Sequence, residues 1–268
     1  MTEEYPDADF STTSAGDSIG NLNRVERGFF LKPYIDRKGA ANLRLHKYSG
    51  SDAGLSYIYF YDPLATWIVS KCPEWVAPNT MTMIGFTHTL MPIFILYCCI
   101  GTALIGDVPN WFILLQGLFY FIYRLLDEMD GKQARRTGNS SALGLIFDHG
   151  CDCFAAGYQP LIFLRLMQVG DNLLAKIMTV CILSAFHFIT LEEYYSGYLY
   201  LPMFNGVSDG SIAIIGLSLY TAYYGNNMWA TPVYDGSWLN IDGVTILTVG
   251  QLFALTVSVL ALSLSFFK

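Results

Sequence analysis

Residues 80–105 and 243–267 each run without a single Asp, Glu, Lys or Arg, and nothing else in the chain constrains its fold as strongly. A helix of about 20 apolar residues crosses the hydrocarbon core of a bilayer, where every backbone N–H and C=O must be paired within the segment. Less pure apolar runs lie at 110–128, 141–167, 172–194 and 210–225. The expected fold is all-α, a polytopic membrane helix bundle of about six transmembrane helices. Residues 56–73 (SYIYFYDPLATWIVSKCP) are rich in Tyr and Trp but interrupted by charge and proline. They read as an interfacial amphipathic helix ahead of the bundle.

Composition supports this class. Only 14% of residues are charged, against about 25% in soluble domains, and mean hydropathy is +0.38. Disorder is excluded by the apolar content, and nucleic-acid binding by 15 basic against 22 acidic residues. The six cysteines form no C-x-x-C pair and read as packing residues. Two segments are expected: 1–47, a polar tail and basic juxtamembrane stretch, and 48–268, the membrane domain. The first twenty residues are acidic and polar, so no signal peptide is expected and the first span acts as its own insertion signal. The basic stretch 24–47 reads either as solvated or as a contact for anionic headgroups. With Lys71, Lys132, Arg135 and Arg136 it sets the 127–152 region on the cytosolic side, or the matrix side in a mitochondrion.

Ionisable groups inside spans mark functional sites. Asp127 and Asp130 stand three residues apart, and Asp148 and Asp152 four apart, so each pair shares a helix face. Two antiparallel helices joined by a short polar loop would bring all four carboxylates together. Neighbouring carboxylates about 4 Å apart repel by several kcal/mol at an effective dielectric of about 20. They must bind cations, share protons, or pair with Lys132 and Arg135. Oxygen ligands alone select a hard ion such as Mg²⁺, Mn²⁺ or Ca²⁺. Gly131, Ala134 and Gly144 leave room for a ligand, and Lys132, Arg135 and Arg136 offer positive charge to phosphate. His149 is a second candidate base, although it points about 100° from Asp148 on a helix. Glu192 and Glu193 are candidate contacts for a substrate ammonium.

The stretch Asp127-x2-Asp130-Gly131-x2-Ala134-Arg135-x8-Gly144-x3-Asp148-x3-Asp152 resembles the signature of the CDP-alcohol phosphotransferases at every fixed position. The wider text DEMDGKQARRTGNSSALGLIFDHGCD is most similar to the eukaryotic choline/ethanolamine phosphotransferases, and the similarity extends over roughly residues 43–215. The resemblance implies transfer of phosphocholine or phosphoethanolamine from CDP-choline or CDP-ethanolamine to diacylglycerol, releasing CMP. It implies one or two Mg²⁺ or Mn²⁺ ions on Asp127, Asp130 and Asp148, with Asp152 as general base. It assigns Gly131, Ala134, Arg135 and Gly144 to the CDP moiety, with Lys132 beside them. Membrane lipids, a second copy of the chain or a membrane-complex subunit are the implied partners, and nucleic acid is not. The implied location is the endoplasmic reticulum or Golgi with the site facing the cytosol, the mitochondrial inner membrane being the alternative.

Two positions depart from the subfamily: Leu145 replaces its usual Glu, and Asp209 replaces the Glu of the downstream LP-x2-NG-x2-EG text. The chain also reads as ending after a six-helix core, with fewer spans than its eukaryotic relatives. These departures support an alternative expectation, a shortened and inactive relative serving as a structural or lipid-binding subunit.

Overall fold

The computed structural model describes residues 37–45, 48–235 and 246–266. The acidic tail and most of the basic 24–47 stretch lie outside the described residues. Helix α1 (Arg37–Leu45) belongs to a unit of its own, Met1–His46. Everything below concerns the unit Lys47–Lys268.

That unit is built of helices. A π-helical turn at Tyr57–Tyr61 leads without a break into α2 (Asp62–Lys71), whose Pro63 comes just after that turn. Arg136 closes the other end, donating from Nη1 to the carbonyls of Val69 (2.5 Å) and Cys72 (2.6 Å). Ala65 and Val69 bury against Met81 and Met129, while Trp67 stays exposed. The segment is thus amphipathic, as its sequence suggests, but it is packed on the bundle as well as open on its far face.

Helix α3 (Pro78–Ile95) runs on through a π-helical turn to Ile100, and α4 spans Asn110–Thr137. After the turn follow α5 (Ala142–Leu166), α6 (Leu173–Ser196), α7 (Ser208–Tyr224) and α8 (Val249–Phe266). Pro78–Ile100 and α6 are long and apolar enough to cross a membrane. Only 22% and 17% of their most apolar windows are buried within the protein, the reverse of a soluble core helix. The other runs fall short of that standard for visible reasons. Arg124, Asp127, Glu128 and Asp130 interrupt α4, Asp148 and Asp152 interrupt α5, α7 has 17 residues, and the apolar stretch described in α8 is the shorter Val249–Ser263.

Helix α3 packs against both α4 and α5, α4 against α7, and α6 against α8. Small residues allow the closest of these approaches. A Cβ on Gly117 of α4 would stand 2.9 Å from the Cβ of Ser218 on α7. One core cluster joins Phe112 and Ile113 of α4 to Ile162 of α5, Met178 of α6, Trp229 and Ala254 of α8. Two small sheets were not expected. Strand β1 (Gly50–Asp52) pairs in parallel with β2 (Leu199–Leu201), and β3 (Pro232–Asp235) pairs antiparallel with β4 (Ile246–Thr248). The last helix therefore begins at Val249 rather than 243, because Ile246–Thr248 takes its hydrogen bonds from a strand instead.

Candidate functional site

The site forms where α4 turns into α5. Gly138 adopts a left-handed conformation (φ 67°), and the amide of Asn139 donates to Ala134 O at 2.9 Å, which stops α4. Ser141 then opens α5, its Oγ accepting from the Gly144 amide at 3.0 Å. The text TGNSS is thus a helix stop and a helix start in sequence. Helices α4 and α5 meet through side chains rather than close backbones, and the carboxylates project between them.

Asp127 of α4 and Asp148 and Asp152 of α5 each offer an oxygen within 4.8 Å of the others. Asp148 Oδ1 is buried with no hydrogen-bond partner among the described residues. That is the environment a cation would complete, since an unpaired buried carboxylate oxygen is costly. The tyrosine hydroxyl of Tyr123 donates to Asp152 Oδ1, one turn ahead of Asp127 on α4. Three of the four expected aspartates fall within 4.8 Å of one another. Asp130 is drawn to α3, where Thr82 Oγ1 donates to its Oδ2. It stands outside the group of three.

The expected phosphate-binding cations are distributed unequally. Arg135 is exposed and folds back over its own helix; a Cβ on Gly131 would lie 3.4 Å from its Nη1. Lys132 is ion-paired with Asp62 of α2 and lies 5.8 Å from the centroid of the Tyr57 ring. Arg136 is committed to the end of α2 and to Glu74 at 3.6 Å. Of the three, Arg135 alone is without an ion pair among the described contacts of this hairpin. Ala134 is half-buried, and Gly144 faces Asn79 at the start of α3, 3.5 Å from the place of a Cβ.

His149 has a partner outside the aspartate group. Its Nδ1 lies 3.8 Å from Glu193 Oε2 on α6, so it turns to the neighbouring helix. The phenol of Tyr48, ahead of β1, senses the same region: burial, then the carboxylates of Glu193 and Asp148, push it up to about 12.

Sequence reasoning missed several participants. Arg124 is buried and ion-paired with Asp127 and with Glu128 (2.7 Å). An Arg inside an apolar run, three and four residues before acids, was the available signal. The loops beside the site are joined by a polar clamp. Asp52 Oδ1 accepts from Gly54 N (2.7 Å) and Asn205 Nδ2 (2.8 Å), and Asp52 Oδ2 accepts from Ser208 Oγ. Asp209 accepts from the amides of Leu55 (3.3 Å), Ser56 (2.7 Å) and Phe204 (2.9 Å) and from Ser56 Oγ (2.7 Å). The departure at Asp209 therefore sits in a structural contact that ties the start of the α2 segment to α7. Partial burial pushes its carboxyl up, but these hydrogen bonds outweigh it and hold the group below its ordinary value.

The sequence model of the CDP-alcohol phosphatidyltransferase family matches residues 75–265. The chain is 35% identical over 199 residues to choline/ethanolaminephosphotransferase 1 of Arabidopsis thaliana, covering 74% of this chain and 50% of that protein. It is 31% identical over 252 residues to cholinephosphotransferase 1 of Xenopus laevis, covering 89% and 61%. An uncharacterized CDP-alcohol phosphatidyltransferase class-I family protein of Dictyostelium discoideum is 30% identical over 212 residues, covering 79% and 55%. The chain spans about half to three-fifths of the length of these curated relatives. The family match runs from the loop between α2 and α3 through the aspartate hairpin into α8, and the chain belongs to the CDP-alcohol phosphatidyltransferase family.

Proposed function

We propose that this chain is a metal-dependent phosphotransferase of phospholipid synthesis, moving phosphocholine or phosphoethanolamine from its CDP-alcohol to diacylglycerol and releasing CMP. The observation that carries this reading is the group of Asp127, Asp148 and Asp152 within 4.8 Å, with Asp148 Oδ1 buried and unpaired. Asp127, Asp130 and Asp148 would hold Mg²⁺ or Mn²⁺, one or two ions. Such ions, when bound, neutralise diphosphate charge and stabilise the CMP leaving group.

The chain's own residues supply the rest. Tyr123 holds one oxygen of Asp152 and leaves the other to orient or deprotonate the acceptor hydroxyl. Arg135 is the cation in position to pair with phosphate, while Gly131, Ala134 and Gly144 keep side chains out of the nucleotide's way. Lys132 would reach phosphate only by leaving Asp62. His149 is a less direct participant, on the acceptor side with Glu193.

In this reading the six apolar runs cross the bilayer as one bundle, with the α2 segment in the interface and the hairpin facing the cytosol. The membrane is that of the endoplasmic reticulum or Golgi. A lipid acceptor then enters from the bilayer and a soluble donor from water.

The test is direct. Purified protein in lipid vesicles is given radiolabelled CDP-choline or CDP-ethanolamine, diacylglycerol and Mg²⁺ or Mn²⁺, beside an Asp148→Asn control. Labelled phospholipid from the parent protein and none from the control is expected. A folded protein that makes no lipid product from any CDP-alcohol overturns the reading.

A further inference from the structure

Arg124 is the most deeply buried cation near the carboxylates, at 4% exposure. Its Nη1 donates to Asp127 Oδ2, its Nη2 donates to Glu128 Oε1 at 2.7 Å, and its Nε is buried without a partner. The guanidinium carbon lies 5.8 Å from the centroid of the Tyr61 ring, and Tyr61 is fixed in turn by Ser211 Oγ at 2.9 Å. A buried charge persists only where it is paired, so this pocket is built for the guanidinium.

One of its two partners is not Arg124's alone. Asp127 also belongs to the group of three carboxylates, and Asp148 in that group has an oxygen with no partner. A guanidinium and a divalent cation on one carboxylate repel each other strongly at an effective dielectric of about 20. Glu128, on the other arm of the fork and outside the group of three, offers Arg124 a second carboxylate. A fork gripping one acid inside the cluster and one beside it can shift its hold without leaving its pocket.

We propose that Arg124 is a built-in counter-cation of the aspartate cluster: it neutralises Asp127 when no divalent ion is bound and is held by Glu128 when one is. This rests on reading the cluster as a metal site. Arg124 is then a positioning residue that lowers the cluster's affinity for metal and keeps the metal-free protein folded. Glu128 works the other way, by drawing Arg124 off Asp127.

Mn²⁺ alone is the probe, titrated into full-length protein in detergent and followed by electron paramagnetic resonance, with melting temperature recorded in parallel. Arg124→Gln should tighten Mn²⁺ binding by at least about tenfold and lower the melting temperature without metal. The Mn²⁺-induced rise in melting temperature should be larger than in the parent. Glu128→Gln should weaken Mn²⁺ binding by about threefold or more, and that loss should vanish in the double variant. A through-space charge effect would instead persist in the double variant and overturn the proposal. Unchanged or weaker binding in Arg124→Gln, with the parent binding Mn²⁺ in an Asp148-dependent way, overturns this inference and leaves the metal site standing. Absence of binding in both proteins removes the metal site and this inference together. Should Arg124→Gln fail to fold even with Mn²⁺, Glu128→Gln decides: unchanged affinity there overturns the proposal.

Discussion

Replacing Asp209 by Ala should loosen the attachment of the α2 segment to the bundle without touching the aspartate hairpin. Asp209 accepts four hydrogen bonds from three residues. The bonds from the Leu55 and Phe204 amides are open to solvent, and water takes over much of their contribution. The two from Ser56, both 2.7 Å and partly buried, are charge-assisted, and one caps the start of the helical segment. Losing a cap costs about 1 kcal/mol, and a charge-assisted bond about 1.5–3, so the local loss should be roughly 2.5–4 kcal/mol. Local opening would become about 60- to 700-fold more frequent, since each 1.4 kcal/mol is a factor of ten. Hydrogen–deuterium exchange by mass spectrometry on peptides covering 50–62 reads this directly, with peptides from α6 as internal reference. Asp209→Asn, which keeps an acceptor but not the charge, should lose less. The sign with pH is also fixed. The carboxyl is held below its ordinary value of about 3.9, so its stabilisation is complete above that pH and disappears as pH falls through the lower folded value. Protection between pH 5 and 8, corrected for intrinsic exchange, should therefore not change. Unaltered exchange at 50–62 in Asp209→Ala would refute the reasoning.

Three further outcomes are expected. Asp148→Asn should abolish any Mn²⁺-dependent rise in melting temperature, as should removal of Mn²⁺ from the parent by chelation; a rise that persists in the variant would place the ion elsewhere. Gly117→Ala should cost about 1–3 kcal/mol, because its Cβ would stand 2.9 Å from that of Ser218, whereas Gly216→Ala meets nothing within 4 Å and should be neutral or stabilise by about 0.5–1 kcal/mol. Ser141→Ala should cost about 1 kcal/mol by removing the acceptor for the Gly144 amide, visible as faster exchange at the start of α5 and not at its end.

The sequence determined the elements with the strongest periodic signals. Apolar run length put the helices close to their observed bounds. The spacing of Asp127, Asp130, Asp148 and Asp152 on two successive helices was enough to expect carboxylates facing one another across a hairpin, and three of the four stand within 4.8 Å of one another. Both rest on local rules: what a helix buries, where it starts and stops, and which residues share its face.

Only the tertiary structure decided the partners. Asp130 goes to Thr82, Lys132 to Asp62, His149 to Glu193 and Asp209 to Ser56, each on an element distant in the chain. The three-residue strands β1 and β2, separated by about 150 positions, are too short to show a period in sequence and pair beside the polar clamp of Asp52 and Asn205. A charged side chain takes the nearest group that can pair with it, and which group is nearest depends on how helices pack rather than on their own sequence. Charge placement in the sequence told where the chemistry lies; packing decided which of those charges are committed to the fold and which remain for a ligand.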